Sequence, residues 1–193
     1  MTTKQQIRLA VLASGSGTNA ENLIEYFKGH GQISVSLIVS NNPEAYVLER
    51  AKQAGIPYEV ITKKGWADKA AVTDIFMTYG IDAVALAGYL LLIPGWFIRM
   101  YPEKILNIHP ALLPHFGGKG MYGMHVHRAV IASGAQKSGI SIHVVNENYD
   151  EGEIIFQATL VIQPGETAQS LAKRVQELEH KHYPVVVERY FLA

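Results

Sequence analysis

The sequence predicts an α/β fold built on a single doubly wound, mostly parallel sheet, with an antiparallel strand region near the C-terminus and a long final helix. Short apolar segments alternate with segments of helical periodicity through the N-terminal half of the chain. Most of these apolar segments lack polar alternation, which is typical of strands buried on both faces of a sheet. Repeated β–α units of this kind favour parallel strands joined by right-handed crossovers.

Four strands with three intervening helices are predicted before residue 100. Gly55 and Gly80 directly follow two of the helical segments, where glycine commonly ends a helix. The segment from Ser40 to Pro43 closes the second strand with turn-forming residues. The predicted strands cover 7–13, 33–39, 57–61 and 83–87, and the predicted helices cover 19–27, 45–54 and 68–79.

The pattern changes after residue 100. A strand ends at His109 because Pro110 follows it, and a glycine-rich loop precedes the next helix. Two further strands flank the polar segment NENYDEGE, which predicts an antiparallel pair. Pro184 is expected to stop the last amphipathic helix. The predicted strands are 105–109, 141–145 and 154–161, the loop is 114–124, and the helices are 126–133 and 167–182.

Composition excludes several classes of protein. The chain has 193 residues, 17 Lys+Arg and 17 Asp+Glu, so it lacks the basic surplus of most nucleic-acid binders. It has no cysteine, which excludes disulfides, thiolate zinc sites and a cysteine nucleophile, and fits a cytoplasmic protein. The longest apolar stretch, 83–98, is too short to span a membrane and is broken by Pro94 and Gly95. We expect no membrane segment.

A glycine-rich loop follows the first predicted strand. Gly15 to Ala20 fits the pattern G-x-G-x-x-A, whose free amides at a helix N-terminus can hold a phosphate. The second strand ends in Ser40 and two asparagines, not in the acidic residue of a dinucleotide site, so a single phosphate is favoured. No Gly-Lys-Ser/Thr follows, which argues against a nucleoside triphosphatase. The alternative is a tight turn that needs glycine for steric reasons alone.

Asn107 and His109 are the main catalytic candidates. Strand alternation places both on one side of a strand, at the carboxyl end where open α/β sheets bind ligands. An amide donor beside an imidazole can bind an oxyanion and exchange a proton. Asp150, in a later loop, would raise the pKa of the imidazole if the two met. The alternatives are a satisfied buried histidine and a turn-forming aspartate.

Three further patterns allow both functional and structural interpretations. Five histidines (109, 115, 125, 127 and 143) suggest a metal site, but no recognised ligand spacing is present, so we expect none. Gln176 and Glu179 share a helix face, which is either part of a site or solvated. The apolar segment 89–93 could line a pocket for a flat aromatic ligand or simply pack in the core.

Five segments together resemble the phosphoribosylglycinamide formyltransferase family over nearly the whole chain. They are GSGTN, LAGYLLLIP, LNIHPALLP, the loop that ends in Asp150, and QELEHKHYP. The Asn-x-His-Pro-x-Leu-Leu-Pro segment is shared by the folate-dependent formyl transferases of this fold, and the glycine loop and QELEH helix narrow the resemblance. It implies one Rossmann-like formyltransferase domain over 1–193, with a nucleotide-binding half over about 1–100 and a catalytic, folate-binding half over about 101–193.

The resemblance implies transfer of a formyl group from 10-formyltetrahydrofolate to the amine of glycinamide ribonucleotide, in purine biosynthesis. It implies that no metal is needed. We expect a cytoplasmic protein that is a monomer or a homodimer. Asn107 and His109 would stabilise the tetrahedral oxyanion, and Asp150 would keep His109 cationic. The implied nucleotide-binding residues are Gly17, Thr18, Asn19, Gln176, Glu177, Leu178 and Glu179. The implied folate-binding residues are Lys69, Leu90, Leu91, Leu92, Ile93, Asn107, Asn146, Glu147, Asn148, Tyr149 and Asp150.

The sequence departs from the family at a few positions. Leu91 stands where many relatives have arginine, and the loop at 115–124 is longer than in many members. Two alternatives remain open. A formyltetrahydrofolate deformylase would use water as acceptor, although that family carries an additional N-terminal domain for which we expect no room before the first strand. A non-catalytic nucleotide-binding module would explain the glycine loop but not Asn107, His109 and Asp150.

Overall fold

The computed structural model describes residues 6–193, which form seven strands and six α-helices. The strands are β1 (Ile7–Leu12), β2 (Ile33–Ser40), β3 (Tyr58–Val60), β4 (Ala83–Leu86), β5 (Ile105–His109), β6 (Lys137–Val144) and β7 (Ile154–Val161). The helices are α1 (Thr18–Phe27), α2 (Tyr46–Ala54), α3 (Lys69–Thr78), α4 (Gly95–Met100), α5 (Met124–Ala132) and α6 (Ala168–Leu192). A short 3₁₀ helix covers Gly65–Ala67.

The strands form one sheet in the order β3-β2-β1-β4-β5-β6-β7. The first five strands are parallel, and β6 and β7 run antiparallel to their neighbours. The predicted fold class is therefore confirmed. The chain passes from β1 outward to β2 and β3 and then returns to β4 on the other side of β1. A crevice opens at such a reversal, beyond the carboxyl ends of the strands.

Hydrophobic cores cover both faces of the sheet. Leu9 and Val11 of β1 face a core built with α1, α2, α5 and α6. Ala10 and Leu12 face the opposite core, to which α3 and α4 contribute. All four side chains are fully buried. This double burial explains why β1 is apolar from Leu9 to Leu12.

The last helix does not end at the predicted boundary. α6 runs from Ala168 to Leu192 and contains Pro184, so the expected stop before this proline was wrong. Proline lacks the N–H that would bond to the carbonyl of residue 180. That carbonyl accepts instead from Asn22 Nδ2 of α1 at 2.7 Å. A side chain from a neighbouring helix thus replaces the lost donor, and the helix continues.

Two other elements, β6 and α4, differ clearly from the predictions. β6 begins at Lys137, four residues before the predicted start, because residues 137–140 pair with β7. Gly139 weakens the strand pattern in the sequence. The structure requires glycine there, because a Cβ would clash with the Ala158 carbonyl oxygen of β7. The second difference is α4, a short helix that the sequence pattern did not predict. Of the helices in residues 6–193, none combines the length and hydropathy of a bilayer-spanning segment.

Candidate active site

A cavity of about 850 Å³ lies beyond the carboxyl ends of the central strands. Its walls come from the segments that follow β1, β4 and β5, from the glycine-rich residues 118–124, and from one face of α6. The cavity therefore lies where the reversal of strand order predicts a ligand site. It brings together the glycine loop, both catalytic candidates of β5 and Asp150, which are distant in sequence.

The glycine loop forms a tight turn at the start of α1. Gly17 has φ 73° and ψ 29°, a left-handed conformation that favours glycine. A Cβ on Gly17 would also lie 2.4 Å from the Val47 side chain of α2. Glycine is therefore required here by conformation and by close packing. Phosphate binding by the loop stays a prediction, and the loop residues are placed at the cavity wall.

The face of α6 that carries Gln176 and Glu179 contacts the glycine loop and lines the cavity. Gln176 Nε2 donates to Thr18 Oγ1 at 2.9 Å, and Asn19 Nδ2 donates to Glu179 Oε2 at 3.1 Å. Burial raises the pKa of Glu179 to about 7, although the bond from Asn19 opposes this shift. The opposite atom of the Asn19 amide, Oδ1, is buried without a hydrogen-bond partner among the described residues.

Not every residue of the QELE segment reaches the cavity. Glu177 is exposed on α6 and does not line it. Leu178 packs against the hydrophobic core beneath the helix. Helical geometry explains this division, because residues 176 and 179 are three apart on one face while 177 and 178 point elsewhere.

Asn107, His109, His143 and Asp150 form a compact polar cluster. Asp150 Oδ2 lies 3.5 Å from His109 Nδ1, and Asp150 Oδ1 lies 3.6 Å from His143 Nε2. The Asn107 amide group contacts His143 Nε2 at 3.0 Å and Asp150 Oδ1 at 3.3 Å. Strand alternation thus predicted correctly that Asn107 and His109 face the same cavity, and the loop before β7 brings Asp150 to them.

Asp150 is held as an anion although it is largely buried. Burial raises its pKa, but contacts with His143, His109 and the Gly118 N–H lower it, and the net pKa lies below the usual value. The Gly118 N–H donates to Asp150 Oδ2 at 2.9 Å. Asp150 also has a positive φ of 57°, a conformation that aspartate tolerates better than most residues.

The pKa of His109 lies below its usual value, whereas the family resemblance implies a cationic His109. Burial lowers its pKa, and the Asp150 carboxylate and the Phe116 carbonyl only partly offset this effect. The Phe116 carbonyl accepts from His109 Nε2 at 2.8 Å. Both ring nitrogens therefore face acceptors, an arrangement that only the cation satisfies fully. The carboxylate acts in the predicted direction, but desolvation is the larger effect.

The residues assigned to the folate by resemblance divide into two groups. Leu90, Tyr149 and Asp150 line the cavity, as does Asn107. The others lie outside the cavity. Lys69 and Leu92 are exposed, and Leu91 and Ile93 belong to the core beside α4. Glu147 forms an ion pair with Arg99 at 2.6 Å, and Asn148 forms hydrogen bonds with Asn146 and Glu151. The segment 146–148 thus contacts α4 and its own neighbours and does not line the cavity.

Ser14 joins the two sides of the cavity and was not singled out from the sequence. Its Oγ accepts the Leu90 N–H at 2.8 Å and donates to Asn41 Oδ1. Its backbone N–H donates to the Gly88 carbonyl at 3.0 Å. One buried serine therefore links the glycine loop, the end of β2 and the segment after β4.

His143 and His127 are also part of the site beyond what the sequence indicated. His143 lies opposite Asn107 in the β5–β6 ladder, a relationship that only the strand register reveals. His127 lines the cavity, and its Nδ1 is buried without a partner in the described part of the chain. Burial lowers the pKa of His127, and His109 adds to this shift. Residues 6–193 contain no group of three or more His, Asp or Glu side chains arranged to hold a metal ion.

Comparison with known proteins reveals similarity along nearly the whole chain. The formyl transferase family model matches residues 7–187. Phosphoribosylglycinamide formyltransferase of Bacillus subtilis is 35% identical over 187 residues, covering 94% of this chain and 93% of the relative. The chloroplastic enzyme of the same name from Arabidopsis thaliana is 44% identical over 186 residues. The chain spans 64% of that relative's length and 61% of a second plant relative's length.

The fold is similar to that of solved structures. The crystal structure of glycinamide ribonucleotide transformylase 1 from Geobacillus kaustophilus aligns with a TM-score of 0.86 at 36% sequence identity. The alignment covers 95% of this chain and 97% of that chain. The resemblance first seen in the sequence motifs is confirmed by these comparisons.

Proposed function

Since this chain belongs to the formyl transferase family, as the match over residues 7–187 establishes, we propose that it formylates glycinamide ribonucleotide. The formyl donor is 10-formyltetrahydrofolate, and the reaction serves purine biosynthesis. The proposal combines the family with the activity that the names of its relatives carry, including the B. subtilis enzyme that the chain matches over nearly its full length.

The convergence of Asn107, His109 and Asp150 in one cavity with the glycine loop carries this proposal. A transferase must hold an acceptor and a donor side by side, with donors of hydrogen bonds where charge develops. The glycine loop supplies free amides for the phosphate of the nucleotide, and α6 supplies Gln176 and Glu179 beside it. Leu90 and Tyr149 line the remaining wall, where the folate is expected to bind.

The reaction forms one C–N bond and breaks another. The amine nitrogen of the nucleotide attacks the formyl carbon, and the carbonyl oxygen becomes an oxyanion that Asn107 and protonated His109 stabilise. The bond from the carbon to nitrogen 10 then breaks. The proton lost by the amine passes to nitrogen 10, which gives the formamide product and tetrahydrofolate.

Asp150 and Phe116 govern the availability of His109 for this step. The carboxylate of Asp150 stabilises the imidazolium against the cost of burial. The Phe116 carbonyl accepts a hydrogen bond from His109 Nε2. The oxyanion is expected to replace this carbonyl as acceptor, because a hydrogen bond to a charged acceptor is stronger than one to a neutral carbonyl.

The decisive experiment mixes purified protein with 10-formyltetrahydrofolate, with and without glycinamide ribonucleotide. Tetrahydrofolate formation and formylation of the amine are followed together. Both products only in the presence of the nucleotide are the expected result. Release of tetrahydrofolate and formate without the nucleotide would instead identify a deformylase. Nucleotide binding without turnover would leave a binding module as the better description.

A further inference from the structure

Helix α2 holds the glycine loop by two successive backbone carbonyls. The Val47 N–H donates to the Gly15 carbonyl at 3.1 Å. The Arg50 side chain donates from Nε to the Ser16 carbonyl at 2.8 Å. Residues 15–18 all line the cavity, whereas no residue of α2 does so. The loop therefore lies between α2 and the cavity, and α2 binds it on the side that faces away from the cavity.

These two contacts orient the N–H groups of the loop. In a trans peptide group the carbonyl and the following N–H point in opposite directions, and the peptides at 15–17 are trans. Because the Gly15 and Ser16 carbonyls point towards α2, the N–H groups of Ser16 and Gly17 point towards the cavity. In the described part of the chain, neither N–H donates to a protein acceptor. Successive free N–H groups of this kind form a concave anion site.

The guanidinium of Arg50 is itself fixed. It forms an ion pair with Glu21 of α1 and lies over the ring of Tyr46, 5.0 Å from its centroid. The Arg50 side chain is only 18% exposed. Because Glu21 balances its charge, Arg50 contributes less as a free cation than as a rigid donor to the Ser16 carbonyl.

We propose that Arg50 is a positioning residue for phosphate binding. It keeps the peptide between Ser16 and Gly17 turned so that the Gly17 N–H faces the phosphate, and it does not touch the substrate itself. This inference rests on the proposed function, because it requires that the glycine loop binds the phosphate of the nucleotide.

The test compares Arg50→Met with Lys52→Met. Both variants remove a cation from α2, but Lys52 is half-exposed, pairs with Glu49 and contacts neither the loop nor the cavity. Arg50→Met is expected to raise the KM for glycinamide ribonucleotide about tenfold, which corresponds to about 1.4 kcal/mol of binding free energy. The kcat and the KM for the folate should stay within about twofold, since the lost interaction affects ground state and transition state alike. Lys52→Met should retain the wild-type constants.

Arg50→Lys separates charge from orientation and also serves if Arg50→Met does not fold. Lysine keeps the positive charge, but its single ammonium group cannot reproduce the planar guanidinium geometry that contacts both Glu21 and the Ser16 carbonyl. We expect the same rise in KM for this variant. A wild-type KM in Arg50→Lys would assign the effect to charge and overturn the inference.

Failure of the inference is distinguishable from failure of the proposed function. If the wild-type protein neither binds nor formylates the nucleotide, as measured by calorimetry and turnover, the proposed function fails. If the wild-type protein does both and Arg50→Met keeps its KM, the function stands and the positioning role is wrong. A lower kcat together with similar rises in the KM for both substrates would indicate a general structural role and would also overturn the inference.

Discussion

The carboxylate of Asp150 faces Nδ1 of His109 across 3.5 Å, on the side of the ring opposite the Phe116 carbonyl. Two effects therefore compete over the protonation of one buried imidazole. Burial lowers the pKa of His109, and the carboxylate raises it. Asp150 thus determines how far the imidazolium survives towards neutral pH, where a proton donor is required for the proposed reaction.

Replacing Asp150 with asparagine should shift the pH dependence of activity. Without the carboxylate, the pKa of His109 falls further, so the imidazolium is lost at a lower pH. Residual activity should therefore decline most at high pH, and the alkaline limb of the kcat/KM profile should move to lower pH. Proton titration of the His109 ring by NMR provides an independent readout. Asp74→Asn, at an exposed position of α3, is the control. A profile of unchanged shape in Asp150→Asn would contradict the link.

Removing either polar side chain at the end of β5 should impair catalysis without unfolding the protein. We expect Asn107→Ala or His109→Ala to lower kcat by about 10²-fold or more, as for the loss of an oxyanion donor or general acid. The free energy of unfolding in urea, measured alongside, separates catalysis from stability. Near-normal turnover in both variants would exclude these residues from the chemistry.

Asn22 should contribute to stability because it serves the carbonyl that Pro184 leaves without a helical donor. Asn22→Ala removes the 2.7 Å bond to the His180 carbonyl, and we expect it to cost about 1–3 kcal/mol of unfolding free energy. Pro184→Ala restores an N–H at that position of α6. The effect of Asn22→Ala should therefore shrink in a Pro184→Ala background, which a double-mutant cycle in urea measures. Equal effects in both backgrounds would show that the two residues are uncoupled.

The end of α6 illustrates which features of the fold a sequence can predict. The repeated apolar segments predicted where the parallel strands lie along the chain, because a strand buried on both faces is apolar at successive positions. Pro184 gave an equally clear local signal, but a tertiary contact from Asn22 overrode it. Such a contact joins residues far apart in the chain, and no local pattern reports it.

The site divides in the same way. Asn107 and His109 could be assigned to one cavity because strand alternation is a local property. The position of His143 depends on the antiparallel register of β5 and β6, which the sequence does not specify. Arg50 acts on a backbone carbonyl, and Ser14 on a backbone N–H. A backbone carbonyl or N–H can belong to almost any residue type, so the sequence gives no sign of such contacts. The roles of these two residues are therefore visible only in the structure.

Ser14 should couple the glycine loop to the wall of the cavity after β4. Ser14→Ala leaves the Leu90 N–H and Asn41 Oδ1 without their shared partner, at a position that is only 8% exposed. We expect a loss of about 1–3 kcal/mol of unfolding free energy, because a buried donor and acceptor lose their bonds together. The KM values for both substrates should rise, since the hydroxyl joins the loop proposed to bind phosphate to the segment proposed to bind folate.

Ser36→Ala provides the matched control for this prediction, because Ser36 lies on β2 and, within residues 6–193, its Oγ bonds only to Ser34 of the same strand. Urea unfolding and steady-state kinetics on both variants measure stability and binding separately. A rise in the KM for one substrate alone would mean that Ser14 supports a single half of the cavity. Wild-type constants in Ser14→Ala would mean that the Leu90 N–H and Asn41 find other partners, and that the serine does not couple the two halves.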